Sequence, residues 1–222
     1  MSSDVPAVYP GLGRLRQLSE ARPRRVSAVQ CELCSAGIPT GHGHVVNIPQ
    51  RAIQCVCRPC YLLFAHDGVS GGRFKAVPDR YLELRALGID DVWNALQIPV
   101  GVAFFLFSSP LNRVVALYPS PAGATESELP LDAWSALVAA APQLAAMSAD
   151  VEALLVRRGT PGFHADSHDR QTAAFIVPID VCYELIGRLR QEWRGFQGGE
   201  QVWRELDRTF ARIAERARGS GS

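Results

Sequence analysis

The sequence predicts an α+β chain: a small cysteine-rich metal module, then a mostly antiparallel sheet with helices packed on one face. Three observations lead there. Two Cys-x-x-Cys pairs lie close together, Cys31/Cys34 and Cys57/Cys60. Four apolar runs of strand length follow, bounded by turn residues. The chain then ends in two stretches whose apolar residues recur at helical spacing.

Residues 1–28 hold Pro, Arg and small residues and read as an N-terminal extension, with room for a short helix around Leu12–Glu20 and an exposed basic linker at 21–25. Residues 29–75 are the cysteine module, closed by the glycine-rich turn HDGVSGGRF. An α+β domain occupies 76–218, and 219–222 form a frayed tail. Within that domain, 79–89 reads as a short helix through Tyr81, Leu82, Leu84 and Leu87, stopped by Gly88. A further helical turn starts at Asp90 or Asp91 as cap. IPVGVAFFLFSS and NRVVALYPS are strands joined by an SSPLN hairpin, and 119–128 is a loop. Residues 129–147 are helical, with Asp132 as N-cap and a break at Pro142. DVEALLVRR reads as a third strand or a short helix-to-strand segment and TAAFIVPI as a fourth strand, around a polar loop at 159–171. Asp180 caps the next helix, whose stripe is Cys182, Leu185, Ile186, Leu189 and Trp193. The last helix sets Val202, Leu206, Phe210 and Ile213 on one face. Trp93, Trp134, Trp193 and Trp203 are expected to build the core.

Composition narrows the function classes. Apolar residues make up 47% of the 222, enough for a buried core. The net charge is +1, from 23 basic and 22 acidic residues, so no strong partnership with nucleic acid or an anionic membrane is expected. No run reaches the roughly 20 apolar residues of a membrane span. MSSDVPAVYPGLGRLRQL lacks the apolar segment of a signal peptide. A cytoplasmic protein is expected, and in a reducing compartment clustered cysteines are metal ligands or redox groups rather than disulfides.

Five of the six cysteines fall between 31 and 60. Cys-x-x-Cys lets one turn of backbone bring two thiolates to one ion, and two such pairs complete a tetrahedral site. Twenty-two residues separate the pairs, a gap that a hairpin over 42–57 would absorb. Small residues after Cys34 allow a tight knuckle. Pro59 suits the first turn of a helix that carries the second pair. Knuckle, hairpin and helix resemble a treble-clef zinc finger. Zinc fits better than a rubredoxin-like iron, because Tyr61 and a helix follow Cys60 where a second knuckle would need a small residue. Cys55, two residues before Cys57, is either an alternative ligand, a reactive thiol or a buried apolar group. His42 and His44 are spare ligands if one cysteine drops out, or an exposed turn.

Other chemistry is weaker. HVVNI stands where HNH-type nucleases, also built on a treble clef, carry a general-base histidine. Asn47 replaces their second histidine, and only His66 is near the following helix, so the resemblance is to a degenerate hydrolase. His164, Asp166, His168 and Asp169 gather metal-ligand types in a loop without a completing motif. Ser120, Thr125 and Ser127 lack a nearby base, and the 118–128 segment lacks a phosphate-loop pattern. Cys182, on an apolar stripe, reads as buried and inert.

CELC…CVCRPCYLLF, ALYPSPAGATES, DVEALLV and VPIDVCYELIGRLRQEWRGFQGGEQVW together resemble an uncharacterised bacterial domain-of-unknown-function family over nearly the whole chain. Its genes often lie near those of oxygen-tolerant nickel–iron hydrogenases. The resemblance implies a role in hydrogenase assembly, maturation or electron transfer, with hydrogenase subunits or maturation factors as partners, and no catalytic residues. Three functions are thus expected in order: a non-enzymatic zinc-binding accessory protein, a rubredoxin-like iron electron carrier, and a degenerate HNH-type hydrolase.

Overall fold

The computed structural model describes residues 29–66, 68–85, 87–120, 123–128, 131–158, 172–192 and 200–219. The 1–28 extension, the 163–169 histidine–aspartate segment, Trp193 and the tail beyond Gly219 lie outside the described residues. The chain is α+β, with two antiparallel sheets among the described residues.

The first sheet holds β1 (Gly43–Asn47), β2 (Ala52–Val56) and β3 (Phe74–Ala76) in the order β2-β1-β3. A six-residue helix, α1 (Arg58–Leu63), follows β2 directly. The second sheet has six strands: β4 (Leu82–Leu84), β5 (Val102–Ser108), β6 (Arg113–Ser120), β7 (Gly123–Glu128), β8 (Glu152–Arg157) and β9 (Ala173–Pro178). Their order is β4-β9-β8-β5-β6-β7, and every neighbouring pair is antiparallel. The helices around it are α2 (Asp90–Ala95), α3 (Leu131–Ala140), α4 (Ile179–Glu192) and α5 (Glu200–Gly219). None of the described helices is long and apolar enough to cross a membrane.

Helices cover both faces of the large sheet, where one face was expected. Phe104, Leu106, Val115, Leu117, Leu155 and Phe175 pack under α4 and α5. Phe105, Val114, Ala116, Leu154, Val156 and Ile176 pack under α2, α3 and the turn at Leu144. The reason is in the strands. β5 and β8 are buried at nearly every position, without the apolar–polar alternation of a half-solvated strand. Both faces must then be taken out of water.

Two other elements differ from the sequence reading. Residues 79–89 contain a strand, β4, paired with β9 through Leu82↔Ile176 and Leu84↔Ala174. Tyr81 turns into one core and Leu84 into the other, the period of two of a strand. The 119–128 segment contains β7, paired with β6 from Val115↔Glu128 to Ser120↔Gly123. Its GATESE sequence has the charged, short character of an edge strand and so reads as loop. Asp90, Asp91, Asp132 and Asp180 sit inside first turns rather than at cap positions. There they oppose the positive end of the helix dipole. The break at Pro142 is present as a short 3-10 turn over Pro142–Ala146. The expected faces of α4 and α5 are buried as read, and Trp93 is in the core.

Glu152 is a carboxylate with 1% exposure at the start of β8. Arg80 grips it with two nitrogens at 2.6 and 2.7 Å, and the Ser148 amide donates to it at 2.6 Å. The same guanidinium donates to the Ala146 carbonyl at 3.0 Å. The clamp fixes the segment between the sheets onto the large one. Arg80→Ala leaves a buried carboxylate unpaired and is expected to cost about 2–3 kcal/mol, less than a fully buried pair because the arginine is partly in water. Glu152→Gln in the same background should recover part of that loss. Urea unfolding of the single and double variants measures both.

Candidate metal centre

Backbone hydrogen bonds build the knuckle at Cys31. Its amide donates to Ala36 at 2.8 Å, and its carbonyl accepts from Ser35 at 2.8 Å. Ser35 has φ 61°, a left-handed turn that the small residue enters at modest cost. A bridge between Gln30 and Gly37 closes the loop. The second pair comes from the other end of the hairpin. Cys57 stands at the N-cap of α1, and Cys60 lies in its first turn with Pro59 beside it. The Glu32 amide donates to the Cys55 carbonyl at 2.9 Å and holds the knuckle against β2.

The four thiols of Cys31, Cys34, Cys57 and Cys60 lie within 4.8 Å of one another. Cys34 and Cys57 are 3.6 Å apart. Four sulfurs about 2.3 Å from one zinc stand roughly 3.8 Å apart along a tetrahedral edge, so the group fits a single ion. Four thiolates leave no position for substrate. Cys31 and Cys60 are buried, whereas Cys34 is exposed.

Electrostatics divide the thiols. Burial opposes ionisation of Cys31, but the amides of Cys57, Leu33 and Cys34 together outweigh it and hold its pKa down to about 6. Cys60 is pushed up to about 12, first by its contact with the Cys57 thiol and then by burial. Cys34 accepts the Ala36 amide, which favours its thiolate, yet its contacts with Cys31 and Cys57 raise it. The thiolate form is thus favoured at Cys31 and opposed at Cys34 and Cys60.

Cys55 does not join this group. β2 ends at Val56, and the extended Cys57 that follows caps α1 and meets the other three thiols. Cys55 instead gathers with His42 and His44, one ligand atom from each lying within 4.8 Å of the others. Burial raises its thiol, helped by the charge of Glu32. His44 bonds Asp180 through Nδ1 at 2.6 Å, and His42 bonds the Pro39 carbonyl through Nδ1 at 2.8 Å. Sequence reasoning treated the histidines as spares for the four-cysteine site. It missed their grouping with Cys55 and the role of Asp180. The alternating GHGH with a cysteine across the hairpin was the available signal; Asp180, 136 residues away, had none.

Gly43 separates the two histidines for a steric reason. A Cβ there would lie 2.6 Å from the Tyr61 ring of α1. The remaining candidates scatter. His66 is exposed beyond α1 and joins neither group. Ser120 donates its hydroxyl to the Gly123 carbonyl in a turn, and Thr125 and Ser127 lie along β7. Cys182 is fully buried and its thiol is raised well above the usual range by burial, then by Asp180.

Two outcomes follow. Gly43→Ala should destabilise the hairpin by about 1–3 kcal/mol through overpacking against Tyr61, read by thermal unfolding. Metal binding at neutral pH should release fewer than four protons from the four-thiol group, because the amides around Cys31 already favour its thiolate. Calorimetry of the Cys55→Ser variant in buffers of different ionisation enthalpy counts them.

No curated protein and no solved structure matches this chain. A model for a family of unknown function, DUF5947, matches residues 30–217. That span takes in the four cysteines, both sheets and the terminal helices, and the chain belongs to the DUF5947 family.

Proposed function

We propose that this chain is a zinc-binding, non-enzymatic accessory protein that serves as an assembly or binding factor for a metalloenzyme. The observation that carries the reading is the convergence of Cys31, Cys34, Cys57 and Cys60 into a closed four-thiol group. A closed site of this kind is structural. The cluster around it has five buried residues, and two of them are the cysteines themselves. So small a core depends on a metal for its stability. Zinc is favoured over iron because the second pair opens a helix.

The accessory role has a surface to act through. Among the described residues, the exposed large apolar side chains are Val29, Leu62, Leu63, Val69 and Tyr183, and all but the last lie in the cysteine region. Leu62 and Leu63 stand together on α1, 48% and 60% exposed. Paired exposed leucines beside a rigid metal knuckle suit a protein partner. The resemblance to a family encoded near nickel–iron hydrogenase genes suggests a hydrogenase subunit or maturation factor as that partner.

The second reading is an iron electron carrier. Exposure of Cys34 favours it, since a thiolate at the surface offers electrons a short way out. Metal analysis and a visible spectrum of protein purified from its native host decide between the two. Zinc at one ion per four-thiol group without colour supports the structural reading; iron with thiolate-to-iron bands replaces it. Cys60→Ser should release the metal and lower the melting temperature. Leu62→Glu/Leu63→Glu should keep the metal and lose hydrogenase-related partners in pull-downs. Failure of the wild-type chain to capture such a partner would remove the hydrogenase link.

A further inference from the structure

Strand alternation gives the β1–β2 hairpin two faces. Val45 and Val56 look into the cluster around the four thiols. Val46 looks the other way, into the core beneath α4 and α5. His44 is two residues from Val46 and shares that face. His42 precedes it by two, and Cys55 is the direct cross-strand partner of His44. Directly paired residues on neighbouring strands project to the same side, with Cβ atoms about 5 Å apart. The ligand atoms of the three accordingly lie within 4.8 Å of one another.

Both rings are held as metal-bound histidines are held. The Pro39 carbonyl can only accept, so His42 Nδ1 carries the proton and Nε2 keeps its lone pair. That Nε2 is buried without a hydrogen-bond partner. A buried, unsatisfied acceptor is costly unless something occupies it. His44 Nδ1 faces the Asp180 carboxylate at 2.6 Å, which leaves Nε2 for a ligand bond. Carboxylate–histidine pairs of this sort orient the ring and raise its basicity toward a metal.

We propose that His42, His44 and Cys55 form a second metal site, for a late first-row divalent ion such as Zn²⁺ or Co²⁺. Two imidazoles and one thiolate suit borderline ions of this class, and exclude Mg²⁺ or Ca²⁺, which require oxygen ligands. On binding, the Cys55 thiol gives its proton to solvent and the sulfur bonds the ion. Three protein ligands leave one tetrahedral position open. The ion here is therefore exchangeable or reachable by an outside ligand, unlike one enclosed by four thiolates. Asp180 is in the first turn of α4, so occupancy would also tighten the contact between the hairpin and the large sheet.

The site is independent of the reading of the four-thiol group, and the experiment separates them. The full-length chain is stripped of metal, titrated anaerobically with Co²⁺, and followed by elemental analysis and visible absorption. Two ions per chain are expected, with the second contributing a charge-transfer band of single-thiolate strength. Cys55→Ser should lose that band and keep the four-thiolate one, which also reports that the variant is folded. His42→Ala/His44→Ala should lose it likewise. Asp180→Asn should weaken the second ion by about 10- to 100-fold while leaving its band shape unchanged. A single ion per chain, with a spectrum identical in wild type and Cys55→Ser, would overturn the proposal. Single-thiolate binding without the four-thiolate band would support it and refute the other site instead.

Discussion

A hairpin of two five-residue strands cannot stabilise itself in water, and this one is held from both sides. On one side Val45 and Val56 pack with the buried cysteines. On the other, Val46, with Ile48 and Ile53 beside it, joins the core under α4 and α5. Two polar links reinforce the second contact: His44 to Asp180, and Arg51 to Glu126 at 2.6 Å. The first of these matters more. It is partly buried, while the arginine pair is at the surface, where ion pairs add little. The geometry of the cysteine region is thereby tied to the first turn of a helix on the large sheet.

The large sheet supplies the rigid partner in this arrangement. Its central strands are buried on both faces, so it has no soft side to yield when the hairpin presses on it. The turn after β5 is pinned as well. Asp150, with φ 67°, accepts the Ser109 amide at 2.8 Å and the Ser109 hydroxyl at 2.6 Å. Aspartate enters the left-handed region more readily than most residues, and here its own side chain makes the bonds that hold it there.

The convergence of the two cysteine pairs was legible because Cys-x-x-Cys encodes its geometry locally. The strands β5, β6, β8 and β9 were legible because long apolar runs leave little choice. β4 was misread because three residues cannot display a period, and Tyr81, Leu82, Leu84 and Leu87 satisfy a helix as well as a strand. β7 was misread because an edge strand facing water carries the polar composition of a loop. Helices on both faces followed from the same apolar runs, but only if their lack of alternation was given its full weight. The pairing of His44 with Asp180 could not be read at all. It is a product of how two sheets pack, and no local pattern records it.

That packing changes what the two cysteines near the end of β2 mean. Cys55 and Cys57 are two residues apart, yet Cys57 joins the four-thiol group and Cys55 does not. β2 ends at Val56, Cys57 caps α1, and the first turn of that helix carries Cys60. Cys55 lies in β2, one residue before the strand's end. There it meets His44 by register, and His42, just before β1, joins them. The two clusters thus draw on neighbouring positions of one hairpin. A side chain at position 55 with no ligand chemistry would fill the same space, and so would apolar residues at 42 and 44. Two imidazoles and a thiol, with both rings oriented through Nδ1, form a donor set that packing alone does not require.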